Sequence, residues 1–445
     1  ERGAPMNSGT ISIWKMRVPL GAFFTANLIS YVGDRLTLLA IPWFVLQTTG
    51  SITKTGITAF FTTMPNIVSA FFSGLLIDRL GYKRTSVIGD IASGLSTLLI
   101  PLLYYTIGLA FWQLLALAFL GGLLKAPGET ARSSLLPDLG KAARMRMERV
   151  NAIGDGLIRV SGLLGLPLAA LLIVLIGASN LLWLDAASFF ISALLIGLAV
   201  THTPPIVHKQ EEKGSAGSLL EGLRFVAHNR LLRSIIAAIM ITNLLDAALF
   251  SVAMPAYAQK VWGSVLPIGL LSGVFGGCAF ASTLLFGVFG HRLPRRLTFS
   301  LCFVAIGMRF WALGLMLPIP VLVVIYAFNG LVVGPINPIG MTVEQEIVPP
   351  KMRARVFGAL SAGFMGGIPL GGLVGGYLIN WLGLLPALFV MAAAYLLSTG
   401  SLLINPAMKE MDHRVEQQDE YVEISDVNID KGVYANNDAV CDSPR

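Results

Sequence analysis

Gly74-Leu-Leu-Ile-Asp-Arg-Leu-Gly-Tyr-Lys-Arg84 is a short charged interruption between two long apolar segments. Its spacing predicts a helix ending near Ile77 and a turn at Gly81, where a side chain would be strained. Lys83 and Arg84 are expected to hold the start of the next helix at a lipid headgroup surface. The stretch has an echo, Gly287-Val-Phe-Gly-His-Arg-Leu-Pro-Arg-Arg296, displaced by 213 residues. The same displacement carries Arg79 to Arg292, Lys83 to Arg296, Pro42 to Pro255 and Gly50-Ser51 to Gly263-Ser264. One constant offset over so long a span implies two copies of a helical unit, as in secondary transporters.

Composition agrees. Of the residues, 55% are hydrophobic and only 13% charged, which excludes a soluble globule and predicts a polytopic membrane protein. The formal charge of +7 reflects where the bases lie and does not argue for nucleic acid as a partner. Cys278, Cys302 and Cys441 have neither metal-like nor redox spacing, so no disulfide framework or cofactor is expected. The first apolar segment is far longer than the roughly 7–15 residues of a cleavable signal core.

Segments long enough to cross a bilayer fall near 18–46, 53–77, 86–108, 110–137, 150–177 and 180–200. A second set falls near 232–259, 265–290, 297–317, 319–348, 354–382 and 384–405. The expected fold is therefore an all-α membrane protein with twelve transmembrane helices in two pseudo-symmetric six-helix bundles, 18–200 and 232–405. Bases concentrate in alternate loops, at Arg79, Lys83 and Arg84, at Lys141 to Arg149, at His208 to Arg233, at Arg292 to Arg296, and at Lys351 to Arg355. The intervening loops carry only Lys54 and Lys260. The positive-inside bias then places both termini in the cytoplasm of a cell that carries the chain in its cytoplasmic membrane. Residues 1–17 read as a cytoplasmic lead-in. Residues 201–231 read as a linker whose second part, from Leu219 to Leu231, has the spacing of an amphipathic helix lying on the membrane surface. Residues 406–445 turn acidic and polar, the composition of a disordered tail.

The hinge, its echo and the paired sets of six helices resemble the major facilitator superfamily. Four further stretches resemble its macrolide-efflux and enterobactin-exporter branch. They are Leu39-Ala-Ile-Pro42-Trp43 through Ser51, Pro127 through Leu136-Pro137-Asp138-Leu139, Glu221-Gly-Leu-Arg-Phe-Val226, and Gln345-Glu346 through Arg355-Val356-Phe357. The resemblance implies two bundles rocking about a central cavity, driven by an ion gradient. It also implies that Gly74, Asp78, Arg79, Gly81, Lys83 and Arg84 form a gating hinge. In that hinge Asp78 would pair with the far bundle, at Arg353, Arg355 or a helix start. Tyr82 stands where relatives often have Arg. His291 replaces the acid in the echo, beside Arg292 and Arg296, which predicts a second latch that is weaker or responds to pH. Gly162-Leu-Leu-Gly165-Leu-Pro167 resembles the glycine-proline signature of antiporters, in which small residues let helices pack closely and proline bends one of them.

A transporter makes no covalent bonds, so its informative residues are ionisable groups inside apolar helices. Each costs about 2.5–3.5 kcal/mol on insertion scales and is retained for a partner or a task. Phe24, Asn27, Tyr31 and Asp34 share one helical face that can line a cavity, with Asp34 as a proton-loading carboxylate. The structural alternative is an arginine on a neighbouring helix that neutralises Asp34. Asp246, beside the position that 213 residues carry to Asp34, shares a face with Asn243 and Phe250. The two carboxylates are expected on opposite walls of one cavity, with protons entering at Asp34 or Asp246, and Asn243 is as well suited to helix-to-helix contact. Lys125, Glu129 and Arg132 are spaced for a self-satisfied ladder, with Lys125 or Glu129 as a cavity charge, and Asp155 with Arg159 for a structural pair. Arg309 has no local partner and must meet a carboxylate or an anionic substrate.

These readings converge on a non-enzymatic exporter of amphipathic small organic molecules, such as drugs or siderophore-like compounds, coupled to protons by antiport. It would act as a monomer within a lipid bilayer. A lipid or lysolipid translocator and a non-transporting sensor or scaffold are the alternatives; no catalytic spacing supports an enzyme.

Overall fold

The computed structural model describes residues 13–200, 215–290, 293–349 and 352–412, and every described element is helical. His291 and Arg292 of the second hinge, most of the lead-in, the first half of the linker and the tail beyond 412 lie outside the described residues.

The first set of helices is α1 (Ile13–Thr49), α2 (Ile52–Leu80), α3 (Tyr82–Thr106), α4 (Phe111–Ala142), α5 (Met147–Ile176) and α6 (Ala178–Ala199). A short α7 (Ser215–His228) leads to the second set. This comprises α8 (Arg230–Trp262), α9 (Leu266–Phe289), α10 (Arg295–Gly314), α11 (Ile319–Ile347), α12 (Arg353–Leu382) and α13 (Leu384–Ile404). Eleven of these are long and apolar enough to cross a membrane, and α2 makes a twelfth, bent by 62° between its Ile52–Ser69 and Phe72–Leu80 parts.

Local chemistry sets the ends. Ser51 Oγ accepts from the Lys54 amide and Asn229 Oδ1 from the Leu232 amide, capping α2 and α8. The hinge turn is a single residue. Gly81 adopts φ +78° and its N–H donates to the Ile77 carbonyl at 2.7 Å, so α2 continues to Leu80 and α3 begins at Tyr82.

Within the first set α1 packs on α5 and α6, α3 on α4 and α6, and α2 on α4. In the second set α8 packs on α12 and α13, α9 on α11, and α10 on α13. The sets meet through α2 against α12 and α5 against α9. These contacts gather at the end away from the basic loops. Gly56 lies against Gly372 and Gly376, and Pro167 and Ala170 against Gly269, so backbones approach where a side chain would intervene. At the base-rich end a Cβ at Gly74, Gly156, Gly287 or Gly358 would meet nothing within 4 Å. The apolar core divides in the same way. One cluster joins both sets, whereas Phe23, Leu135 and Val150 form a separate cluster in the first and Val226, Val348 and Val356 another in the second. The molecule is closed at one end and parted at the base-rich end.

That parting corrects two expectations. Asp78 is exposed and forms no ion pair among the described residues. Arg355 instead pairs with Glu221, and Arg353 donates to the carbonyls of Val348 and Gln345. The amphipathic α7 does not rest on lipid alone: Gly222 lies against the Arg355 backbone and Val226 is buried in the cluster at the end of α12. In the second hinge Arg296 donates to the Leu403 carbonyl at 2.8 Å, and the neighbouring Arg295 pairs with Glu346 at 2.7 Å.

Candidate functional site

Two charge clusters lie inside the helices, one in each set. In the first, Asp34 of α1 accepts from the Lys125 ammonium of α4 at 2.6 Å, and Glu129 stands 3.7 Å from the same ammonium. Thus the cation that neutralises Asp34 is a lysine, not an arginine. One helical turn along α1, Thr37 Oγ1 donates to Asp185 of α6, a carboxylate that is only 1% exposed. The Ser188 hydroxyl lies 3.3 Å from its other oxygen.

The expected ladder on α4 breaks at Arg132. Its guanidinium turns from Glu129 to Asp90 of α3 and donates to Ser86 Oγ and to Asn27 Oδ1, all deep within the helices. Asn27 is therefore part of a buried clamp joining α1, α3 and α4, and it also lines a cavity with Phe24 and Tyr31 as expected. The expected Asp155–Arg159 pair is absent from the described ion pairs. Asp155 lines a cavity beside Arg132, and Arg159 lines another of about 780 Å³.

In the second cluster Arg309 of α10 pairs with Asp246 of α8, supplying the carboxylate that the sequence required. The guanidinium is 2% exposed and lies 5.3 Å from the Phe250 ring centre and 5.6 Å from that of Phe310. Fixed beside a buried guanidinium, Asp246 is not the free proton-loading acid expected. Asn243 donates to the Phe364 carbonyl at 2.8 Å, joining α8 to α12, while still reaching the cavity wall.

The cavities complete the geometry. One, of about 780 Å³, runs from Asp246 and Arg309 to Glu344 and Phe357 at the base-rich end, and its wall is rich in phenylalanine. Among the described residues of the first set, Arg159 alone reaches it. A cavity of about 420 Å³ takes in Tyr31, Asp34, Lys125 and Glu129, also toward the base-rich end. A pocket of about 210 Å³ lies on the other side of the same pair, lined by Thr37, Asn66, Lys125 and Asp185, by an apolar wall that includes Ile41 and Ile100, and by Ser251 of the second set. Asp34 and Asp246 therefore border different cavities, not one.

At the bundle contact, Pro167 of the antiporter-like motif packs against Gly269 and Gly273. Gly165 leaves room for the Arg35 stem, and Gly162 meets nothing within 4 Å. Sequence reasoning passed over Asp90, Asp185 and Glu344, although the rule that selected Asp34, an acid within an apolar helix, applies equally to them. Among the described residues no three His, Cys, Asp or Glu side chains gather as metal ligands.

Comparison with known proteins adds relatives to this geometry. The Major Facilitator Superfamily model matches residues 23–245 and 236–423. The multidrug efflux pump Tap of Mycobacterium tuberculosis is 30% identical over 401 residues, covering 89% of this chain and 95% of its own. The enterobactin exporter EntS of Escherichia coli is 28% identical over 383 residues, covering 82% and 86%. Among solved structures, the nucleoside transporter NupG superimposes with a TM-score of 0.72 at 14% identity, over 87% of this chain and 98% of that one. A POT family transporter in complex with 5-aminolevulinic acid gives 0.65 at 12%, over 88% and 96%. At such identities these structures speak for the fold.

Proposed function

This chain belongs to the major facilitator superfamily, and on that premise we propose that it exports amphipathic small organic molecules in exchange for protons. The observation that carries the reading is the phenylalanine-lined cavity of about 780 Å³, open where the two sets of helices part and sealed where they pack. Its volume suits a drug-sized ligand, for which pockets of about 300–1,000 Å³ are usual. The names of the relatives, a multidrug efflux pump and a siderophore exporter, support the same cargo class.

The base-rich end faces the cytoplasm by the positive-inside bias, with both termini on that side, so the open cavity loads from within the cell. Rocking about the α2–α12 and α5–α9 contacts then exposes the cargo to the opposite side. Protons act at Asp34: its protonation releases Lys125, and the released ammonium alters how α1 is held to α4. Because the cavity and both pivots lie in one chain, the monomer is the working unit within the lipid bilayer. Asp78 becomes a latch to the far bundle only when the base-rich end closes.

The test is reconstitution of the full chain into liposomes with an imposed pH gradient and fluorescent cations, anions and neutral drugs as probes. Gradient-driven movement of at least one probe is expected. No response to the gradient with any of them refutes proton exchange, and no movement at all refutes export.

A further inference from the structure

We infer that Asp185 is a second proton-carrying residue, and that the pocket of about 210 Å³ between Asp34, Lys125 and Asp185 is the protons' own compartment, apart from the cargo cavity. The inference deepens the proton-exchange reading above and rests on it.

The first argument is charge. Two carboxylates share this pocket with one ammonium, which Glu129 also approaches at 3.7 Å from the neighbouring cavity, so negative charge exceeds positive unless a proton is bound. Asp185 is 1% exposed and has no cation within ion-pair distance among the described residues. Asp34 of α1 and Lys125 of α4 line the same pocket as Asp185. On α3 the nearest acid, Asp90, is engaged by Arg132, and on α5 Asp155 and Arg159 line other cavities.

The second argument is geometry. The Asp185 carboxylate accepts from the Thr37 hydroxyl, which can equally accept from a carboxylic acid. Its other oxygen lies 3.3 Å from the Ser188 hydroxyl, which donates at 2.7 Å to the Asp185 backbone carbonyl and keeps lone pairs free to accept from a carboxylic acid. Either protonation state therefore finds its partners without rebuilding the site. Gly33 permits this placement, because a Cβ there would collide with Asp185 and Ser188. The pocket continues from the acids toward the end away from the basic loops between apolar walls that include Ile41, Ala59 and Ile100, and within it Thr62, Thr63, Asn66 and Ser96 offer oxygens that can order water. On the other side of the Asp34–Lys125 pair lies the cavity that holds Glu129. The pair is a partition with a compartment on each face.

The step is balanced. The O–H bond on Asp185 breaks and one forms on Asp34, while the Lys125 ammonium moves from Asp34 to the newly ionised Asp185. Charge within the pocket is unchanged. The proton then leaves Asp34 toward the cavity at the base-rich end.

The experiment uses the full chain in liposomes, an imposed pH gradient and ethidium as the probe, with infrared difference spectra of the carboxyl C=O stretch on acidification. Asp185→Asn keeps the side chain's shape and its hydroxyl contacts, so a structural role tolerates it. The inference predicts that it lowers gradient-driven ethidium movement by about tenfold or more and removes one acid-induced carboxyl band. Asp185→Glu should recover part of the movement with a displaced pH profile. Wild-type transport by Asp185→Asn, an unchanged band pattern, or an unmoved profile in Asp185→Glu overturns the inference while leaving proton exchange standing. If wild-type protein moves ethidium without regard to the gradient, proton exchange itself fails, and the role of Asp185 with it.

Discussion

Lys125 of α4 meets Asp34 of α1 at 2.6 Å on a wall that two cavities share, one toward the basic loops and one away from them. An ion pair so placed is reached from both compartments and joins two helices of one bundle. Its removal should be felt in coupling before it is felt in folding.

Asp34→Asn is accordingly expected to lower pH-gradient-driven transport by about tenfold or more. Lys125→Met should destabilise the protein more than the double variant Asp34→Asn with Lys125→Met, because it leaves two carboxylates, Asp34 and Glu129, without their cation where the double variant leaves one. Initial rates in proteoliposomes across a pH series measure the first effect, and thermal unfolding in detergent the second.

Asp246 should behave differently. Its partner Arg309 is 2% exposed, so Asp246→Asn strands a buried guanidinium and should cost about 3–5 kcal/mol of stability. The double variant with Arg309→Met should recover much of that loss. Thermal unfolding in detergent, read as a double-mutant cycle, distinguishes this structural role from coupling.

Gly372 sets the closed end of the molecule. A Cβ there would press on Ala59 and the Gly56 carbonyl, so Gly372→Val should wedge α12 from α2 and favour the conformer parted at that end. In a background with Cys278, Cys302 and Cys441 replaced by serine, thiol labelling of Ser361→Cys on the wall of the large cavity should fall by severalfold relative to the same background with Gly372 retained.

The attachment of α7 to α12 separates charge from packing. The Glu221–Arg355 pair is 50% and 37% exposed at its two side chains, so Glu221→Gln should change stability by less than about 1 kcal/mol. Gly222→Val, by contrast, forces a side chain onto the Arg355 backbone and should release α7. Limited proteolysis near His228 should then quicken for the valine variant alone.

Much of this architecture is legible one helix at a time. Gly81 had to turn because a glycine between an apolar run and two bases leaves the chain few other courses, and it does so at φ +78°. Asp34 and Asp246 announced themselves because a carboxylate in an apolar span is costly. The same rule held for Asp185, which went unnoticed for want of a repeat or a motif beside it. Arg132 shows where such reading ends. Its spacing from Glu129 suits a pair on one helix, yet the deeper Asp90 of α3 takes the guanidinium, since a buried charge is satisfied by the partner that is buried with it.

The amino-acid order alone determined that the chain crosses a membrane many times, in two related sets, with its bases at one end, because apolar length and loop charge are properties of each segment by itself. Only the tertiary structure decided that Asp34 belongs with Lys125, Asp246 with Arg309 and Asp185 with two hydroxyls, and that Asp78 stands apart from the far bundle. Helical periodicity fixes the direction a side chain faces on its own helix. What it meets there is set by packing among segments far apart in the chain, and by which end of the molecule is open.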